Sequence, residues 1–227
     1  KRARGQPMAS HPDTSLANRN RLILATSGGG KSQLARELIP AKGVRLLGWD
    51  IDGDHEGHHF ETRAAYASAV AKAIRSGKPF RLLWSGDDDI KTFEWWCELV
   101  FVALDGRKPT EVLIEEMADV SPSSGKATPH FGRLVRRARK YNGGLIMISQ
   151  RGTEISKTCY TQAAEIWIGA QEGVDVPRMA KHAKLSESAM SSIRPLDWVR
   201  KRGPDTARFR MTFTGNRRKL SELSERQ

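Results

Sequence analysis

The chain has 227 residues, 38% hydrophobic and 28% charged, a composition that fits a soluble globular protein of one large domain or a domain with appendages. No apolar run approaches the length of a membrane span, and Lys1-Arg2-Ala3-Arg4 has no apolar stretch behind it, so neither a transmembrane helix nor a secretory signal is read. The 38 Lys and Arg exceed the 26 Asp and Glu by 12, which points to a polyanionic partner, nucleic acid ahead of an anionic membrane surface.

Residues 1–17 are basic, then rich in Ser, Pro and His, and read as a flexible arm. The absence of an initiator Met leads to the expectation that the numbering starts inside a longer chain or after processing. Strands and helices alternate from residue 18 to about 215. Strands are expected at 22–25, 44–50, 80–84, 112–114, 145–149 and 166–170, with helices opening at 32 and over 62–76, 90–104 and 131–141. Residues 121–129 form a Ser/Gly/Pro loop. A helix near 177–184 and a strand pair at 197–202 and 207–213 follow, and 216–227 is a polar tail expected to fray. Such alternation implies an α/β fold with a mostly parallel central sheet and helices on both faces, its ligands gathering at the carboxyl edge of the strands. Cys97 and Cys159 stand apart in apolar surroundings and read as buried thiols in a reducing compartment.

The first strand runs Leu22-Ile23-Leu24-Ala25 into Thr26-Ser27-Gly28-Gly29-Gly30-Lys31-Ser32, and Gln33-Leu34-Ala35-Arg36 continues as helix. Strand, glycine loop, Lys-Ser and helix are the parts of a P-loop (Walker A). Backbone N–H groups curl round phosphate oxygens, and the helix N-terminus adds partial positive charge. Thr26 through Gln33 are therefore the nucleotide-binding candidates, with Lys31 reaching the β/γ-phosphates of ATP and Ser32 a ligand of Mg²⁺. Ala25 stands where the full GxxxxGK[ST] pattern has its first glycine.

The fourth strand ends in Glu115-Glu116, the place of a Walker B acidic pair. Glu115 is the metal-associated acid, although Asp is usual there, and Glu116 is the candidate general base for the attacking water. Gln150 ends the fifth strand, where a polar side chain can sense the γ-phosphate. Asp50 and Asp52 follow the second strand at the same edge but are left outside the core site. His55-Glu56-Gly57-His58-His59 matches the zinc-peptidase pattern H-E-x-x-H, yet Gly57 and the preceding Asp52-Gly53-Asp54 read as loop, not helix, so a polar loop is expected. On the helix over 131–141, Arg133, Arg136, Arg137 and Lys140 form a basic stripe beside the apolar Phe131, Leu134, Val135 and Ala138. Further positive charge lies at 178–184, 194–202 and 208–219, suited to sequence-independent phosphate contact. The six tryptophans sit mainly within element patterns and read as core or interface.

The P-loop, Glu115-Glu116, and Arg137-Ala138-Arg139-Lys140-Tyr141-Asn142-Gly143-Gly144 leading to Ile148-Ser149-Gln150-Arg151 resemble the FtsK–HerA superfamily of DNA-pumping ATPases. Gly152-Thr153-Glu154-Ile155-Ser156-Lys157 adds to the likeness, which covers about residues 20–200. The short single-domain members it resembles are genome-packaging ATPases of tailless icosahedral viruses with an internal membrane. The resemblance implies a RecA-like P-loop fold, a ring of subunits (usually six), ATP and Mg²⁺ as ligands, and double-stranded DNA as the polymer. It further implies capsid or membrane-vertex proteins as partners, and a place in the host cytoplasm or at the virion's packaging vertex. It also implies an arginine reaching the next subunit's γ-phosphate, for which Arg137 and Arg139 are the candidates. The alternatives are a cellular or conjugative DNA pump of the same superfamily, a small-molecule P-loop kinase, and a non-hydrolysing assembly protein.

Overall fold

The computed structural model describes residues 9–120 and 125–223. Ten strands form one sheet, in the order β10-β9-β8-β7-β1-β6-β5-β2-β4-β3. The strands are β1 (Arg21–Leu24), β2 (Arg45–Trp49), β3 (His58–Phe60), β4 (Phe80–Trp84), β5 (Thr110–Ile114), β6 (Gly143–Ser149), β7 (Glu165–Ile168), β8 (Asp197–Arg202), β9 (Asp205–Thr214) and β10 (Arg217–Leu223). β1 to β7 run parallel, and β8 to β10 add an antiparallel meander. This is the expected RecA-like α/β arrangement, with an extension the sequence only partly announces.

Alternate residues of the central strands feed two cores, as the two-residue period of a strand requires. Leu22, Leu24, Val112, Ile114, Leu145 and Met147 face the larger one. It is closed by α2 (Arg63–Ser76), α3 (Ile90–Ala103), α5 (Pro129–Arg137), α6 (Lys157–Gln162), α7 (Asp175–Ala183) and α8 (Glu187–Ser191). Ile23, Ala25, Leu113, Ile146 and Ile148 face the smaller one, under α1 (Lys31–Leu38). A one-turn α4 (Met117–Val120) follows β5. Helices therefore cover both faces, unequally.

Local chemistry fixes the helix ends. Thr62 caps α2 by accepting from the Ala65 N–H, and Gly77 ends it at φ 65°. Asp89 caps α3. Glu94 of α3 accepts the His130 and Phe131 N–H groups at 2.8 and 2.9 Å, satisfying the first turn of α5 from a neighbouring helix. The expected helix over 131–141 is α-helical only to Arg137. It tightens into a 3₁₀ turn, Ala138–Tyr141, because Asn142 at φ 58° reverses the chain into β6.

The two ends differ from expectation. Residues 1–8 and 224–227 lie outside the described residues. Residues 9–17, expected as a flexible arm, run along the domain: Ala9 is buried, Ser10 bonds to the Leu104 carbonyl, and Arg139 donates to the carbonyls of Thr14 and Leu16. The tail expected to fray is strand β10, paired with β9 throughout. Its Arg218 and Leu220 point toward α1, while Arg217 and Lys219 stay exposed. A polar edge strand carries this alternation weakly, which hides it in the sequence.

The larger core is anchored by aromatic contacts among Trp49, Trp84, Phe93 and Trp96. Cys97 and Cys159 are buried free thiols. The buried Trp96 Nε1 donates to the Tyr66 hydroxyl at 3.0 Å. Tyr66→Phe strands that donor, so a loss of about 1–3 kcal/mol is expected, read as a fall of roughly 2–12 °C in melting temperature.

Candidate functional site

β1 lies between β6 and β7, with β5 one strand further on. The loops leaving the carboxyl ends of β1, β5 and β6 consequently meet, and they carry the P-loop, Glu115-Glu116 and Gln150.

The P-loop is held by backbone bonds to its neighbours. Thr26 N–H donates to the Ala170 carbonyl (2.9 Å), Gly29 N–H to Thr26 (3.0 Å) and Leu196 N–H to Gly29 (3.2 Å). Gly28 and Gly30 have φ of 70° and 93°, the left-handed region that a side chain strains. A Cβ on Gly30 would lie 2.6 Å from Leu196 Cδ2. The departure at Ala25 is accommodated by its surroundings. Its methyl sits where Gly29 and Gly169 lack Cβ atoms, each of which would approach it within 2.8–2.9 Å. α1 begins with no side-chain cap, leaving the first N–H groups of the helix for a ligand. The Gln171 amide braces the loop from behind, donating to the Leu24 carbonyl at 3.0 Å.

Lys31 is 8% exposed and donates to the Thr26 carbonyl at 3.2 Å. Burial pushes its ammonium below the usual lysine range, while the charges of Glu116, Glu115 and Asp54 oppose that shift. Glu116 sits at φ 43°, an uncommon conformation for a side chain of its size. Burial lifts its carboxyl above the usual range, against the Gln150 hydrogen bond and the Lys31 charge. Gln150 Nε2 donates to Glu116 Oε1 at 3.0 Å, so the proposed base and the proposed sensor touch.

Three further residues join the site. Ser32 Oγ donates to Asp54 Oδ2 at 2.8 Å. His55 Nε2 lies 2.6 Å from Glu115 Oε1, both side chains buried. Asp50 is fully buried, and its carboxylate accepts the Asp54 and His55 N–H groups at 3.0 and 2.9 Å. The H-E-x-x-H segment is a loop running into β3, as expected, but its first histidine enters the nucleotide site instead of solvent. Asp50 and Asp52 in the sequence flag this loop, yet nothing local shows that Asp54 reaches Ser32 or that His55 turns inward.

Arg137 and Arg139 are not brought to this cluster within one subunit. They precede β6 at its amino edge, about seven residues and roughly 23 Å of strand from Gln150. Arg137 is exposed, whereas Arg139 is tied to the Thr14 and Leu16 carbonyls. Phe131, Leu134, Val135 and Ala138 are buried, as the stripe pattern requires.

Ser32 Oγ and the Glu115 carboxylate are hard oxygen donors beside a phosphate loop, suited to Mg²⁺, which keeps few protein ligands and several waters. Among the described residues no three His, Cys, Asp or Glu side chains form a self-contained metal site. Beside the start of the P-loop an open cavity of about 520 Å³ is bounded by Thr26, Ser27, Gln150 and Arg151 on one side and residues 172–175 on the other.

Gly30→Ala is expected to weaken nucleotide binding at least tenfold and to lower the melting temperature, since it adds about 1–2 kcal/mol of backbone strain and a clash. Adding Leu196→Ala removes the clash but not the strain, so titration of the double variant should recover part of the affinity.

Comparison with known proteins agrees with this fold. No family model matches the chain. Protein P9 of Pseudoalteromonas phage PM2 is 33% identical over 175 residues, 77% of this chain and 79% of that protein. The genome packaging NTPase B204 of Sulfolobus turreted icosahedral virus 2, solved with AMPPCP, superposes with a TM-score of 0.67 at 14% identity, over 92% of this chain and 99% of the other. VirB4 of Thermoanaerobacter pseudethanolicus gives a TM-score of 0.58 at 14% identity, over 88% and 91%. At 33% identity over most of both chains, the chain belongs to the family of that phage protein, and it has the fold of P-loop NTPases of the FtsK–HerA type.

Proposed function

We propose that this protein hydrolyses ATP to drive double-stranded DNA through a ring of its own subunits, six by analogy with the superfamily, and so packages a viral genome into its capsid. The observation that carries the reading is the convergence of Lys31, Glu116 and Gln150 over the P-loop, in a chain one-third identical to a phage protein. The net charge of +12 supports a polyanionic substrate.

In this reading the N–H groups of residues 28–32 and the Lys31 ammonium hold the β- and γ-phosphates. Ser32 and Glu115 would hold Mg²⁺, which would supply positive charge to the phosphate oxygens. Glu116 accepts a proton from the attacking water, and burial, by raising its pKa, makes it the stronger base for that task. Gln150, bonded to that carboxylate, senses the γ-phosphate and reports its loss to β6 and the loop beyond. An arginine of the neighbouring subunit stabilises the developing charge. Arg137 is preferred over Arg139, whose guanidinium already holds two carbonyls. Capsid or vertex proteins are the partners this task requires, at the packaging vertex of the virion.

Hydrolysis measured at low salt, with and without long double-stranded DNA, tests the reading. Stimulation by DNA of any sequence, fading with salt and absent in Lys31→Ala, is expected. Turnover indifferent to DNA but raised by a small phosphate acceptor would point instead to a kinase. Stimulation without packaging in a capsid assay would leave a cellular or conjugative pump.

Glu116→Gln should lower turnover by at least about a hundredfold while retaining ATP binding. Retained turnover would remove Glu116 from the mechanism. Folding raises the Glu116 pKa, so its contribution to stability is present below the unfolded value and lost as pH rises through the raised folded value. The glutamine variant should therefore melt no lower than wild type at pH 7–8, a check that its inactivity is not misfolding.

A further inference from the structure

We propose that Asp54 is a positioning residue for the P-loop serine: its carboxylate holds the Ser32 hydroxyl proton so that the oxygen's lone pairs face the Mg²⁺ position. This inference rests on the reading of the site as a Mg²⁺–ATP site and adds to it a residue from a different loop.

The first observation is the bond itself, Ser32 Oγ to Asp54 Oδ2 at 2.8 Å. A hydroxyl has one proton and two lone pairs. With the proton committed to a carboxylate, both lone pairs are directed elsewhere, and a metal demanding near-octahedral geometry meets a ligand already oriented.

The second observation is that the loop is built to present Asp54. The buried Asp50 carboxylate takes the N–H groups of both Asp54 and His55. Gly53, at φ 71°, turns the chain and donates to the Asp50 carbonyl. From the other side, Arg36 of α1 donates to the Asp54 carbonyl, fastening this loop to the helix that carries Ser32. The Asp54 residue itself remains exposed at the mouth of the site.

The third observation concerns Glu115. One acid at the end of this strand would be the natural partner of both metal and serine. Here Glu115 Oε1 is committed to His55 at 2.6 Å inside the protein. The serine is therefore served by Asp54, and the task is divided between two loops. Asp54 also contributes to the negative field on Lys31, consistent with its position inside the site's electrostatics.

Titration of Mn²⁺ by electron paramagnetic resonance, with protein and a saturating non-hydrolysable ATP analogue, reads the effect directly. Asp54→Ala should weaken Mn²⁺ roughly 10–100-fold, the loss usual for a partner that orients a metal ligand. Binding of the analogue in EDTA should change less than about threefold, because the P-loop amides and Lys31 are untouched. Asp54→Asn keeps an acceptor for the hydroxyl and should recover most of the Mn²⁺ affinity. Unchanged or tighter Mn²⁺ binding in Asp54→Ala would overturn the inference, since Asp54 would then merely cover the serine. Equal loss in EDTA would overturn it too, by making Asp54 a structural support of the P-loop. Wild-type protein that binds neither nucleotide nor Mn²⁺ with it would sink the ATPase reading itself, a failure distinct from the other two.

Discussion

The placement of β1 between two parallel neighbours is the constraint on which the rest depends. Parallel pairing to β6 and β7 aligns the carboxyl ends of three strands, and the chain crosses over at that point. Asn20, immediately before β1, locks the arrangement from the opposite edge. Its buried amide donates to the carbonyls of Val135 and Gln162, its Oδ1 accepts the Leu145 N–H, and its own carbonyl accepts from Ala164 and Glu165. One residue, through side chain and backbone together, thus sets the start of β1, β6 and β7. The loops at the far ends then arrive in register without needing contacts of their own to find each other.

Those loops carry local strain, which the packing over-determines. Gly30 adopts a conformation a side chain resists, and Leu196 and Trp198 fill the space a Cβ would need. Leu196 and Glu116 both have positive φ without being glycine, each costing on the order of 1 kcal/mol, and both sit at the phosphate end of the sheet. At Glu116 the unusual backbone turns the carboxyl toward Lys31 and Gln150. An extended residue there would continue the strand and direct the group elsewhere. A carboxylate in a half-buried, strained position is less favourable for the fold and, in the proposed mechanism, better suited to accept a proton.

Much of this was legible in the sequence because it rests on short-range grammar. A glycine loop with Lys-Ser after an apolar run, an acidic pair ending a strand, and a glutamine ending the next one need only a few adjacent residues each. The Ala25 departure could be noticed but not explained, since the explanation lies in Gly29 and Gly169, the latter on another strand. Asp54 and His55 were invisible for the same reason. Their partners are 22 and 60 residues away, and a histidine in an Asp/Gly-rich loop looks solvated until the fold turns it inward. The H-E-x-x-H segment is a loop and a short strand, not the helix that pattern needs, yet its first histidine is the residue that touches Glu115. β10 was missed because its inward positions include Arg218, whose side chain reaches Gln33 of α1 at 3.4 Å and so replaces an apolar contact with a polar one.

That missed strand changes how the end of the chain relates to the site. Leu196 donates to the Gly29 carbonyl of the P-loop, and the Leu196 carbonyl in turn accepts from Met211 of β9. Trp198 of β8 packs beside Gly30, and Arg218 of β10 reaches the helix that begins at Lys31. The meander is therefore the wall of the phosphate loop, not an appendage to it. Its other sheet face carries Arg208, Arg210, Arg217 and Lys219, set on one side by the two-residue period of β9 and β10. Arg210 is steadied there by a two-pronged pair with Asp197, the residue next to Leu196. A load applied to that basic face is carried by strands one hydrogen bond from Gly29. Placing these four cationic side chains on a hydrogen-bonded continuation of the phosphate loop requires no flexible linkage between that basic face and the loop suited to phosphate.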